Sequence, residues 1–152
     1  METKVLVFSV DNQQFGTNIR DVREVIAVPH VTALPHALDP VVGIFNLRGN
    51  IVTAVDGGKA LGIPASGGER HRAVVAEVDG RLLGILVDRA TEVITLNEEE
   101  VRPAPGVGAL ERPDLAEGIV LKGDRAITLL RLGELLGGAG AREARSEEET
   151  ER

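Results

Sequence analysis

Val10-Asp11-Asn12-Gln13-Gln14-Phe15-Gly16-Thr17-Asn18-Ile19-Arg20-Asp21-Val22-Arg23-Glu24-Val25-Ile26 aligns without a gap on Val78-Asp79-Gly80-Arg81-Leu82-Leu83-Gly84-Ile85-Leu86-Val87-Asp88-Arg89-Ala90-Thr91-Glu92-Val93-Ile94, every position shifted by 68. Both stretches carry Val-Asp, then an apolar residue followed by Gly (Phe15-Gly16, Leu83-Gly84), then Glu-Val-Ile. Farther on, Gly43 to Asn50 resembles the shorter Gly118 to Asp124, and Leu61-Gly62 and Leu136-Gly137 close the two copies. A solenoid needs more units than two to cover its faces, so this repeat predicts two similar lobes packed as a pseudo-symmetric pair.

Working outward, Lys4 to Val10 reads as a strand with Val5 and Val7 on one side and Leu6, Phe8 and Val10 on the other. Apolar residues on both faces place it inside the molecule or at a junction. Asp11-Asn12 is turn chemistry, which makes Gln14 to Thr17 the returning strand of a hairpin, and Asn18 caps a short helical turn. Pro29, Pro35 and Pro40 break the next stretch into loop. Val41 to Leu47 and Ile51 to Val55 form a second hairpin around Arg48-Gly49-Asn50. The second copy repeats this plan. Ala73 to Val78 and Leu82 to Val87 flank Asp79-Gly80, Glu117 to Leu121 pairs with Ala126 to Leu130, and Leu132 to Leu136 is a short helix. Pro64 to Arg72 is the polar, flexible linker between copies. The expected organisation is one domain over residues 2–137, with lobes of roughly 4–63 and 72–137 that are free to exchange strands. A disordered acidic tail follows over 138–152.

The chain has 152 residues, no cysteine, a net charge of −7, no Trp, no Tyr and three Phe. These values exclude disulfides and thiolate zinc sites, and they leave neither a basic footprint nor an aromatic platform for nucleic acid. No apolar run approaches bilayer length and the N-terminus lacks a signal-peptide layout, so a cytoplasmic protein is expected.

Little chemistry is on offer. His30 and His36 lie in the proline-rich loop and His71 in the linker, without metal-ligand spacing. Asp56-Gly57-Gly58-Lys59 lacks the frame of a phosphate loop and reads as a turn. Glu98-Glu99-Glu100 reads as a solvated edge, and no serine has a nucleophile-elbow context. No cofactor, metal or catalytic residue is expected. Arg48, at the tip of an otherwise apolar hairpin, differs: its guanidinium suits pairing with a carboxylate of a partner or of Glu24.

With Val22-Arg23-Glu24-Val25-Ile26, Leu34-Pro35, Val42-Gly43-Ile44-Phe45-Asn46-Leu47-Arg48-Gly49-Asn50-Ile51-Val52 and Gly84-Ile85-Leu86-Val87-Asp88 in this order, the sequence resembles the CheW-like family of chemotaxis coupling proteins. The Gly-x-x-Asn-Leu-Arg-Gly segment is the specific one. The resemblance implies a mainly β fold of two pseudo-symmetric five-stranded SH3-like barrels with short helices. It also implies a non-catalytic adaptor that couples chemoreceptor cytoplasmic tips to the regulatory domain of a CheA-type histidine kinase, associated with membrane-bound receptor arrays through those partners. By motif it carries partner contacts onto Val22, Glu24, Gly43, Asn46, Leu47 and Arg48, with Leu86 and Val87 in the second lobe, and Gly43 is expected to admit a partner helix close to the backbone. The chain departs from the family pattern at Thr53, at Asp56-Gly57 and at Arg131, where an aspartate is common. A paralogue serving a non-flagellar pathway is one alternative. A small-ligand sensor or enzyme using His30, His36 and Asp56 in the inter-lobe groove is another.

Overall fold

A computed structural model of the chain describes residues 2–63, 69–103 and 115–136. The expected tail and most of the linker lie outside the described residues. The strands are β1 (Glu2–Val10), β2 (Gln13–Asn18), β3 (Glu24–Ala27), β4 (Thr32–Ala33), β5 (Val41–Leu47) and β6 (Asn50–Asp56), then helix α1 (Gly57–Leu61). The second copy gives β7 (Arg72–Val78), β8 (Arg81–Val87), β9 (Arg89–Asn97), β10 (Ala116–Lys122) and β11 (Arg125–Leu130), followed by helical residues 132–136.

Two sheets result, a five-stranded one in the order β10-β11-β2-β1-β9 and a six-stranded one in the order β3-β7-β8-β6-β5-β4. The fold is mainly β with two lobes, as expected. Neither sheet comes from one copy. The first hairpin of each copy joins the last three long strands of the other, so β1 and β2 complete the lobe of β9 to β11, while β7 and β8 complete the lobe of β3 to β6. The two halves are thus strand-exchanged images of one another.

Exchange explains the parallel pairs in this hairpin-built protein. β2 meets β11 with Gly16 opposite Leu129, and β8 meets β6 with Gly84 opposite Ala54, in the same register. The repeated glycines sit at these joins for lack of room. A Cβ on Gly16 would lie 2.6 Å from Val5 Cγ1, and one on Gly84 would lie 3.2 Å from the Phe45 ring. Both hairpins that close the copies carry a register shift at the same place, between Val41 and Gly43 and between Ala116 and Gly118. The matching turns are both two residues long, Arg48-Gly49 and Gly123-Asp124, with Lys122 opposite Arg125 in the strands. The second hairpin is therefore not shorter, and Gly123 occupies the place of Arg48. The Asp56-Gly57-Gly58-Lys59 stretch, expected to be a turn, begins α1, whose N-cap Asp56 accepts from the Lys59 N–H at 3.0 Å.

Alternation along the exchanged strands builds three cores. Val5 and Val7 face Leu96, Val120, Ile127 and Leu129 inside one lobe, and Ala73, Val75 and Leu86 face Phe45, Leu47, Val52 and Ala54 inside the other. Their alternate neighbours Leu6, Phe8, Val10, Val74, Ala76, Leu83, Ile85 and Val87 fill a third core between the sheets, sealed by Leu61, Leu132, Leu135 and Leu136. Phe8 and Phe15 stack there at 5.9 Å between ring centroids. The two-sided apolar pattern of Lys4 to Val10 is the mark of this junction position.

Candidate partner-binding surface

β5 and β6 turn through Arg48 (φ 49°) and Gly49 (φ 87°), both left-handed, which is the geometry of a two-residue turn that follows the twist of the strands. The Asn46 side chain accepts from the Gly49 N–H at 2.8 Å and fastens the turn. From this tip the Arg48 guanidinium reaches the Glu24 carboxylate on β3, at the far end of the same sheet's strand order. The hydrogen bond from Arg48, with its positive charge, holds the Glu24 carboxyl below the usual glutamate range, and Glu24 in turn raises the Arg48 guanidinium. On the same hairpin, Ile51 stands opposite Asn46 with 68% of its surface exposed, an apolar side chain that no neighbour covers.

The other lobe repeats the device. Arg125 on β11 pairs with Glu92, the counterpart of Glu24, and also donates to Gln14 at 2.9 Å. Each ion pair joins strands near opposite ends of its sheet, so both sheets are curled. Leu121 and Val93 are exposed on this lobe, at 59% and 51%.

The residues expected to touch partners fall into two groups. Glu24, Asn46 and Arg48 are gathered at the surface, and half-buried Val22 lines a groove of about 750 Å³ between the lobes, together with Ala76, Val78 and Leu130. Gly43, Leu47, Leu86 and Val87 are buried and cannot meet a partner in this arrangement. Close approach at Gly43 is real but internal, because a Cβ there would stand 2.1 Å from the Thr32 carbonyl oxygen of β4. Val87 belongs to the core between the sheets and Leu86 to a lobe core. Ile51 was missed; its alternation with buried Val52 carried the signal.

Arg70 corrects the reading of the linker as merely polar and flexible. Its side chain is 6% exposed and pairs with Asp88 (2.6 Å), Asp11 (3.0 Å) and Asp56 (3.1 Å). Burial disfavours the charge, but hydrogen bonds to the three aspartates outweigh it and raise the guanidinium above its ordinary value. Asp56 is thereby committed to Arg70 and α1, while His30 and His36 are exposed in the loop. Among the described residues no three His, Asp or Glu side chains gather as metal ligands, and no helix is long and apolar enough to cross a membrane.

A hairpin with Asn-Leu-Arg-Gly at its tip, tied to Glu24 in a strand-exchanged pair of curled sheets, coincides with a match of residues 4–139 to the CheW-like domain model. The chain belongs to the CheW-like family. It is 33% identical to the chemotaxis protein CheW of Rhizobium meliloti, over 85% of this chain and 84% of that one. It is 32% identical to the probable chemotaxis protein CheW of Rhizobium etli, over 86% and 85%. The crystal structure of the scaffolding protein TtCheW from Thermoanaerobacter tengcongensis superimposes with a TM-score of 0.79 at 32% identity, covering 89% of this chain and 88% of that one. These CheW relatives bear out the expected chemotaxis adaptor without chemistry of its own.

Proposed function

We propose that this chain couples chemoreceptor cytoplasmic tips to the regulatory domain of a CheA-type histidine kinase, working in the cytoplasm at membrane-bound receptor arrays. The observation that carries the kinase contact is the Arg48–Glu24 pair at the tip of the β5–β6 hairpin, which also carries exposed Ile51. The half-buried Val22 and its groove between the lobes suit a helical receptor segment, which docks apolar side chains into grooves.

Calorimetric titration of the purified protein with the regulatory domain of a CheA-type kinase from the same genome tests this reading. Saturable binding that weakens tenfold or more in Arg48→Ala, with circular dichroism unchanged, is the expected result. Equal binding by wild type and Arg48→Ala would remove the pair from the kinase contact. No binding by the folded wild type would remove the kinase from the reading.

A further inference from the structure

The parallel ladder that joins the two copies is shorter in one lobe than in the other. β8 and β6 stay paired through Ile85 with Val55 and Leu86 with Asp56, whereas β2 and β11 part after Gly16 and Leu129. Thr17 precedes Ile85 by the repeat offset of 68, as Gly16 precedes Gly84, and Leu130 follows Val55 by 75, as Gly118 follows Gly43. The two missing rungs are therefore Thr17 with Leu130 and Asn18 with Arg131. Both strands turn away at this point. The Asn18 side chain accepts from the Arg20 N–H at 3.0 Å, and the Arg131 N–H donates to the Leu115 carbonyl at 2.9 Å.

Ile85 and Leu86 are buried in the cores on either side of the closed ladder. At the parted ladder a cavity of about 260 Å³ opens instead, walled by Val5, Leu96, Leu129 and half-buried Val101. Thr17 also lines it, is 1% exposed, and has a hydroxyl without a hydrogen-bond partner. An unpaired buried hydroxyl costs free energy that a bound donor can return. The charged residues of the lining, Glu98 and Glu117, are both acidic and exposed, and among the described residues neither makes an ion pair. Glu117 and Leu130 line the groove between the lobes as well, so the cavity is a side chamber of that groove. The groove adds Asp21, Glu77 and Glu134 to Arg20, Arg23 and Arg131, with Arg23 taken by Glu77 at 2.8 Å, and acid stays in excess across the two.

Resting on the reading of this groove as the receptor site, we propose that the side chamber receives a lysine or arginine side chain of the docked receptor helix. Such a side chain buries an aliphatic stem and keeps its charged head among polar groups. Val5, Leu129 and Val101 match the stem. Glu98, Glu117 and the Thr17 hydroxyl can all accept from the head, and hydrogen bonds from a cation to carboxylates are the stronger kind. The same two acids repel a helix that presents a carboxylate here, which makes the chamber selective among receptors.

The test is calorimetric binding of cytoplasmic-tip fragments of the chemoreceptors from the same genome, with the kinase regulatory domain as reference partner. Glu98→Lys with Glu117→Lys is expected to weaken the tightest receptor fragment tenfold or more and to leave kinase binding within twofold. Glu98→Gln with Glu117→Gln should act in the same direction by a smaller factor. One Lys or Arg to Met change on the receptor helix should weaken binding to the wild type and add no further loss in the Gln variant. Thr17→Val, which keeps the shape, should raise the thermal midpoint by removing the unpartnered hydroxyl and weaken receptor binding about threefold. Unchanged receptor binding in both folded Glu variants overturns the inference, and so does a loss that adds independently to that of every receptor cation. Receptor binding untouched by Thr17→Val would seat the cation outside the chamber and overturn it too. A wild type that binds the kinase but no receptor fragment removes the receptor reading of the groove and this inference with it, and is seen before any variant is made.

Discussion

Arg48 and Glu24 show what a single exposed ion pair can and cannot do. Such pairs add little to stability, so their use lies in the surface they shape. The Glu24 carboxyl is held below its ordinary value of 4.5, chiefly by the hydrogen bond from Arg48. A lowered carboxylate pKa contributes above the unfolded-state value and is lost as pH falls through the folded one. The tenfold penalty of Arg48→Ala on kinase binding should therefore be constant from neutral pH down to the ordinary glutamate range and vanish only below it. Calorimetry across that range checks this, and a penalty that disappears between pH 7 and 6 would point to another titrating group. Gly43 is a residue whose role the sequence misdirects. Its missing side chain signals close approach, but nothing in the local sequence says whether the approaching backbone is a partner or Thr32. Gly43→Ala should cost about 1–3 kcal/mol in urea denaturation, because the clash is with backbone that cannot turn aside. Partner binding should fall only with the folded fraction. An unchanged midpoint with lost binding would return Gly43 to the interface.

Elements were the scale most legible beforehand, for reasons that differ from one to the next. Asp79-Gly80 and Asp11-Asn12 announce their hairpins because left-handed turns favour Asp, Asn and Gly. Helix α1 was hidden by Gly57-Gly58, poor helix formers, and exists because Asp56 caps it and Ala60 and Leu61 are buried. The Arg48-Gly49 turn carries a conflict. Arginine gains nothing from a φ of 49°, whereas asparagine tolerates that conformation. Arg48→Asn should raise stability by roughly 0.5–1 kcal/mol while losing kinase binding as Arg48→Ala does. Thermal melts beside the titration decide it. A melt lowered as much as in Arg48→Ala would mean the turn bears no strain.

At the scale of the whole molecule, the repeat revealed two similar halves but was silent on exchange, since either pairing of the hairpins preserves the same pattern. What decides it is the core between the sheets, which needs β1 and β7 buried on both faces. Arg70 sits where the exchange is tied off, and it was invisible in sequence because its three aspartates are 59, 14 and 18 residues away. Removing it leaves three carboxylates facing one another, so Arg70→Met should cost about 2–3 kcal/mol, below the range for fully buried pairs because the aspartates keep some solvent contact. A denaturation midpoint equal to wild type would show that solvent compensates the acids. Exchange also means that no half of the chain contains a complete sheet. A chain cut between Ile63 and Glu69 should leave either piece alone without a cooperative transition, since each exposes the side chains of all three cores, at roughly 1.5–3 kcal/mol for each large one. The two pieces mixed should recover the native circular dichroism and kinase binding, because their contacts are mutual rather than internal. A cooperative melt by the second piece alone would show instead that the lobe of β9 to β11 can form without β1 and β2, and that exchange follows folding rather than enabling it.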